Sequence, residues 1–234
     1  MQSDTAPQQL LQWFLSPPSP GRLNGVGYST TDNTAEDTSF IFGAPFSGIA
    51  TKGVISFKDL ACPQEFEDDD QIQTAYTDEN GITRLYGYVY FGEWYNEDMD
   101  PVADEDGIPL GSSAWFISSS AKTITTSGEV SNDNVIHTFT ETSALVSSAF
   151  PTPFCPNSEN VSWGVSDDAQ IQTAYTDENG ITRLYGYVYF GEWYNEDMDP
   201  LAETDSIAAP GTGFWLILND ASETFSEVSP LAKN

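Results

Sequence analysis

The sequence predicts an all-β chain of two tandem homologous modules, sandwich or barrel-like, behind an extended N-terminal arm. Three observations lead there. The 31-residue stretch Gln71–Pro101 recurs without a change at Gln170–Pro200, 99 positions later. Apolar and polar residues alternate in short runs with no 3.6-residue helical period. Gly, Pro, Asn and Asp punctuate the chain between those runs, at a spacing that suits strands of a sandwich or barrel.

The arm covers residues 1–25. Leu10-Leu11-Gln12-Trp13-Phe14-Leu15 is apolar and lies between Pro7 and Ser16-Pro17-Pro18-Ser19-Pro20. Prolines cannot continue a helix and favour extended chain. Two readings stand for Leu10, Leu11, Trp13, Phe14 and Leu15. They pack on the chain's own first module, or they form an assembly arm that adds a strand to a neighbouring subunit. Met1-Gln2-Ser3-Asp4 shows no basic segment leading into an apolar core, so no signal peptide is visible. No run of 18 apolar residues occurs, so no membrane span is expected.

Module 1 spans residues 26–131. Ser39–Phe46 reads as a strand stopped at Pro45, and Gly53–Phe57 as another. The acidic lead-in Glu65–Asp70 precedes the repeated hairpin. Asn80-Gly81 suits a two-residue type I′ turn, where both positions need positive φ. That turn places Tyr76 opposite Leu85, Ile72 opposite Val89, Gln73 opposite Tyr88 and Gln71 opposite Tyr90. Alternation then sorts Ile72, Tyr76, Leu85, Val89 and Phe91 onto an apolar face. Gln71, Gln73, Arg84, Tyr86, Tyr88 and Tyr90 fall on a tyrosine and glutamine face. Gly111–Ile117 and Thr123–Thr126 close the module as strands.

Module 2 spans residues 132–234 and repeats the plan. Thr152-Pro153-Phe154 answers Ala44-Pro45-Phe46, and Gly211–Ile217 answers Gly111–Ile117. Ser226–Ser229 answers Gly128–Ser131. A Pro-Phe strand, an acidic loop, Asp70-Gln71-Ile72-Gln73, a hairpin ending in Gly92-Glu93-Trp94-Tyr95 and a late Trp strand follow in order. This order resembles β modules found in tandem in uncharacterised secreted or surface proteins of bacteria. The resemblance implies a surface location and no particular activity.

Thirty-six acidic residues against seven basic ones give a formal charge of −29. Phosphates need basic neutralisation, so nucleic acid is excluded as a partner and anionic membrane is disfavoured. With 39% hydrophobic and 13% aromatic residues, the chain can bury a core. The Ser, Thr, Tyr and Asp content with few Lys points to an extracellular or cell-surface protein.

Catalysis is poorly served, and no enzyme is expected. The only histidine is His137, outside the repeat, so no Ser/His/Asp or Cys/His site can exist in both modules. Calcium is the cofactor the acidic loops would hold, through Asp98, Asp100, Asp104 and Asp106 and their counterparts Asp197, Asp199, Glu203 and Asp205. Hydrated turns are the alternative. Cys62 and Cys155 form one disulfide or remain two separate thiols. The aromatic face of Tyr86, Tyr88, Tyr90 and Trp94, with Tyr185, Tyr187, Tyr189 and Trp193, either packs under another layer or meets a partner. The function expected is a self-assembling structural subunit of a fibre, sheath or surface layer. The alternative is a polysaccharide-binding or adhesive module that stacks these rings on sugars.

Overall fold

Alternating strands leave two demands: backbone groups need ladder partners, and each apolar face needs a cover. A computed structural model describes residues 13–15, 25–32, 39–48, 53–77, 83–96, 98–176 and 182–232. It begins with β1 (Trp13–Leu15), β2 (Gly25–Asp32), β3 (Ser39–Gly43) and β4 (Val54–Ser56). A 3-10 turn at Phe57–Asp59 follows, capped by the Ser56 hydroxyl on the Lys58 N–H. The repeated segment supplies β5 (Gln71–Thr77), β6 (Thr83–Tyr90) and β7 (Glu93–Tyr95). Then come β8 (Gly107–Pro109), β9 (Ser113–Ile117) and β10 (Thr123–Val130). Module 2 holds β11 (Val135–Thr138), β12 (Ser143–Ser147), β13 (Val161–Gly164) and β14 (Gln170–Thr176). It ends with β15 (Thr182–Tyr189), β16 (Glu192–Asn195), β17 (Gly213–Ile217) and β18 (Thr224–Glu227). No α-helix occurs among the described residues, so none is long and apolar enough to cross a membrane.

The two modules share one topology. An antiparallel sheet ordered β3-β9-β5-β6-β7 recurs as β12-β17-β14-β15-β16. A three-stranded sheet accompanies each: β1-β2-β10 in module 1 and β11-β18-β13 in module 2. The result is a pair of sandwiches, and no barrel closes. In module 1, β10 has the Ala61 bridge at Thr125 where module 2 has the β13 ladder.

The N-terminal strand lies against its own chain. Trp13 pairs with Gly27, Phe14 with Val26 and Leu15 with Gly25, on the edge of the β2–β10 pair. Leu10 and Leu11 lie outside the described residues, as do the Asn80-Gly81 turn and its copy.

The hairpin register differs from expectation. Gln71 faces Tyr88 and Ile72 faces Gly87, where the two-residue turn put Tyr90 and Val89. Gln73 then faces Leu85, and Thr77 faces Thr83, with two register shifts between. The departure begins beside the turn, where Thr77 faces Thr83 and a two-residue turn would put Arg84, and the bulges, each absorbing a residue on one strand, shift the register further. The same shifts recur in module 2.

Each sandwich has its own core. Module 1 buries Phe57, Ile72, Val89, Trp94 and Phe116 together, and module 2 buries Phe154, Ile171, Trp193, Phe214 and Phe225. Fully burying one such side chain contributes roughly 1.5–3 kcal/mol. Ala149 and Phe150, which the sequence assigns to module 2, pack in the core of module 1. Phe154 also takes a different place from the one expected. It bridges Ala208 as Ile55 faces Ile108, so it answers Ile55 rather than Phe46.

The seam between modules has two-fold character. The Gly43 N–H donates to the Gly211 carbonyl at 2.8 Å, and the Ser147 N–H to the Gly111 carbonyl at 2.9 Å. Phe42 bridges Thr212 as Val146 bridges Ser112. A Cβ on Gly43 would overlap Ser147, and one on Gly213 would overlap Ser113. Glycine is needed at both places because a serine side chain of the other module occupies the Cβ position.

Candidate functional site

The repeat makes a tight turn at Phe91-Gly92. Tyr90 faces Glu93 across Phe91-Gly92, whose φ angles are +51° and +76°. Two consecutive left-handed residues make a type I′ hairpin turn, which tightly links β6 to β7. Phe190-Gly191 repeats it at +51° and +79°. The turn lifts Phe91 and Phe190 off the sheet, with 78% and 79% of each residue exposed. Phe91 was expected on the apolar face of the strand; the turn takes it out of the alternation.

Behind the turn the tyrosines form a continuous row. Tyr90 lies 4.3 Å from Phe91 and 6.2 Å, edge-on, from Tyr95, ring centre to ring centre. Tyr95 is 6.2 Å from Tyr88, whose hydroxyl donates to the Met99 sulfur at 2.7 Å. Burial, then the Glu93 carboxylate, pushes the Tyr95 phenol above its ordinary value, so it stays a donor. Tyr189, Phe190, Tyr194 and Tyr187 repeat these contacts. Met99 and Met198 are 61% and 63% exposed. Each module thus carries an apolar knuckle with a phenylalanine at one end and a methionine at the other. The side chains of Tyr86 and Tyr185 lie outside the described residues.

Trp94 and Trp193 do not belong to this face. Val89 faces Trp94 across the turn, and both are buried on the opposite side of the sheet. Trp94 packs on Phe57 and edge-on against Phe66; Trp193 packs on Trp163. One residue of alternation separates a surface tyrosine from a core tryptophan.

The acidic loops are ordered by their own backbone. Asn96 Oδ1 accepts the N–H groups of Asp98 and Asp100, and Asp106 accepts that of Ala103. Asn195 and Asp205 do the same for Asp197, Asp199 and Ala202. Asp104 pairs with Lys58 at 2.6 Å, and Glu203 is exposed. Among the described residues no three His, Cys, Asp or Glu side chains converge to hold a metal ion. Cys62 and Cys155 are two separate free thiols, not a disulfide. Burial, reinforced by Asp205, pushes the Cys155 thiol up, which keeps it protonated and unreactive.

His137 is part of a buried cluster that the sequence could not announce. Its Nε2 lies 2.8 Å from Glu227 Oε1, which also accepts the Ala149 N–H at 2.8 Å. Glu227 Oε2 accepts the Ser148 hydroxyl at 2.7 Å. The imidazole stacks on Phe225, and a Cβ on Gly111 of module 1 would overlap it. The carboxylate stands between serine and imidazole, so the imidazole does not meet the hydroxyl that a nucleophilic triad would need. The cluster instead anchors the segment that carries Ala149 and Phe150 into module 1.

Comparison with protein-family models, with curated proteins and with solved structures finds no match to this chain.

Proposed function

We propose that the chain is a structural β subunit that assembles with copies of itself outside the cell or at its surface. The observation that carries this reading is the pair of identical knuckles, Tyr90-Phe91 with Met99 and Tyr189-Phe190 with Met198. Large apolar side chains raised on tight turns lose water-exposed area only by meeting a partner. Two contacts per chain propagate, and a contact that does not close on itself builds a fibre, sheath or layer. The acidic, Lys-poor composition and the resemblance to tandem surface modules support the setting. A charge of −29 repels like copies, so association should strengthen with salt or calcium. Sedimentation velocity over rising concentration, with and without added salt and calcium, tests this. Association is expected for the native chain and its loss for Phe91→Ser with Phe190→Ser. A native chain that stays monomeric throughout would refute the reading.

A second reading rests on the partly exposed Tyr88 and Tyr187 beside Gln71 and Gln170, which pair across the strands. Rings next to amides suit a polysaccharide chain. Tyr88→Ala with Tyr187→Ala should then abolish retention on immobilised polysaccharide; unchanged retention would remove the tyrosines from it.

A further inference from the structure

Module 2 carries a side chain that module 1 lacks. Ile55 and Phe154 hold equivalent places, facing Ile108 and Ala208. Three residues on, Lys58 and Asn157 are therefore equivalent. The Asn157 carboxamide binds the backbone of the edge strand β16. Its oxygen accepts the Trp193 N–H at 3.0 Å, and its nitrogen donates to the carbonyls of Trp193 at 3.0 Å and Leu201 at 2.8 Å. Trp163 covers the spot: its ring lies 4.8 Å from that of Trp193, and its Nε1 donates to the Pro156 carbonyl.

In module 1 the same backbone groups belong to Trp94 and Val102. The Val102 N–H donates to the Trp94 carbonyl at 3.0 Å, as Leu201 does to Trp193 at 2.9 Å. Val89 turns its own N–H to the Asp70 carbonyl, so Val89 and Trp94 form a non-hydrogen-bonded pair. The Trp94 N–H therefore points away from β6, toward the place that Asn157 fills in module 2. Lys58 turns aside to Asp104 at 2.6 Å, and the half-buried Cys62 replaces Trp163. No described residue of module 1 offers an amide to Trp94 and Val102. What results is a cleft of about 500 Å³ lined by Phe57, Leu60, Phe66, Trp94 and Val102, with Lys58 and Glu93 at its mouth.

We propose that this cleft binds a small molecule that carries an amide on a ring, as the acetamido group of an N-acetylated sugar does. The amide carbonyl accepts the Trp94 N–H, as Asn157 Oδ1 accepts that of Trp193. The amide N–H donates to the Val102 carbonyl, as Asn157 Nδ2 donates to Leu201. The ring lies against Phe66 and Leu60, in the space that Trp163 closes in module 2. The site exists once per chain, because module 2 holds its own amide in the slot. An apolar cleft with a few convergent polar groups is the usual form of a small-ligand site.

The test is a titration of the full chain followed by backbone amide NMR. The probes are N-acetylglucosamine, glucose and N-acetylphenylalaninamide. N-acetylglucosamine should shift the Trp94 and Val102 resonances saturably, at concentrations on the order of millimolar, and leave Trp193 unmoved. Glucose should not shift them. Lys58→Asn, which installs module 2's amide at an exposed position, should weaken binding by about ten-fold or more. The spectra report whether the variant is folded. Binding of N-acetylphenylalaninamide with the sugar silent keeps the amide slot and assigns its ring to an aromatic amide. The proposal is overturned if neither amide moves Trp94, if glucose moves it equally, or if folded Lys58→Asn binds as the native chain does.

Discussion

At the lead-in to the shared hairpin, module 1 caps the Glu67 N–H with the buried Asp70 carboxylate at 2.9 Å. Module 2 has Ala169 in place of Asp70, and its equivalent N–H, that of Ser166, is capped by Glu223 at 2.8 Å from across the sandwich. The position answering Glu223 in module 1 is Lys122. Its ammonium, 1% exposed, reaches the Glu65 carbonyl at 3.0 Å, Glu67 at 3.2 Å and Asp70 at 3.8 Å. One backbone donor thus receives a carboxylate in both modules, but from opposite sides. The charge facing it changes accordingly. Beside Asp70 a cation must stand, because a buried carboxylate without one is costly. Beside Ala169 no cation is needed, and the carboxylate itself takes that place. The Lys122 ammonium, with the Ser120 hydroxyl, holds the exposed Glu67 carboxyl below its ordinary value. Identical hairpins are therefore compatible with two cap chemistries, provided each pair changes together.

That pairing can be broken directly. Lys122→Glu copies module 2 into module 1 and sets a carboxylate beside buried Asp70. The expected loss is about 4 kcal/mol or more, read from urea unfolding. Adding Asp70→Ala should return at least about 2 kcal/mol, since positions in contact couple. A double variant no more stable than the single one would show that the two positions do not act together.

The next largest effect is expected at the seam. Glu227, which the sequence set against Glu129, instead sits where β10 has Thr126, and it alone gathers His137, Ser148 and Ala149. Glu227→Thr copies module 1. It should cost about 3 kcal/mol by leaving buried donors without their acceptor. The loss should appear as unfolding of both modules together, because Phe150 of that segment fills the first core. Unfolding confined to module 2 would contradict the shared packing.

The smallest effect separates Lys58 from Asn157. The Lys58 ammonium holds Asp104 below its ordinary 3.8, and Asp104 in turn raises Lys58 above 10.5. The pair's contribution is present between those limits. It is lost in acid as pH falls through the lowered Asp104 value, and in alkali as pH rises through the raised Lys58 value. Both groups are exposed, so the effect is slight. Thermal midpoints of native and Lys58→Met chains should draw together below pH 3.8. A constant difference across that range would assign the effect to packing.

Much of the fold was legible because backbone periodicity is local. The repeat announced two modules, and alternation separated Ile72 and Val89 from Tyr88 and Tyr90. The apolar run at Trp13–Leu15, open between a strand and a turn of helix, pairs as a strand, and the Trp strands Gly111–Ile117 and Gly211–Ile217 stand out as apolar runs after a glycine. The Phe91-Gly92 turn had a signal, a glycine between two alternating segments, which a single face running from Tyr86 to Trp94 passes over. Trp94 was misplaced for the same reason: only the turn at Phe91-Gly92 puts it opposite Val89 and inside. The His137–Glu227 contact, 90 positions apart, carries no local pattern at all.

What the sequence by itself determined is the class, the duplication and the sidedness of the strands. These follow from a two-residue period and from residues that cannot continue a strand. What only the tertiary structure decided is how the two copies came to differ. Whether Asn157 or Lys58 stands over the edge strand, and whether Lys122 faces Asp70, depends on distant segments meeting around one hairpin. Identical residues take their roles from the groups packed against them, and packing joins positions that sequence order keeps apart.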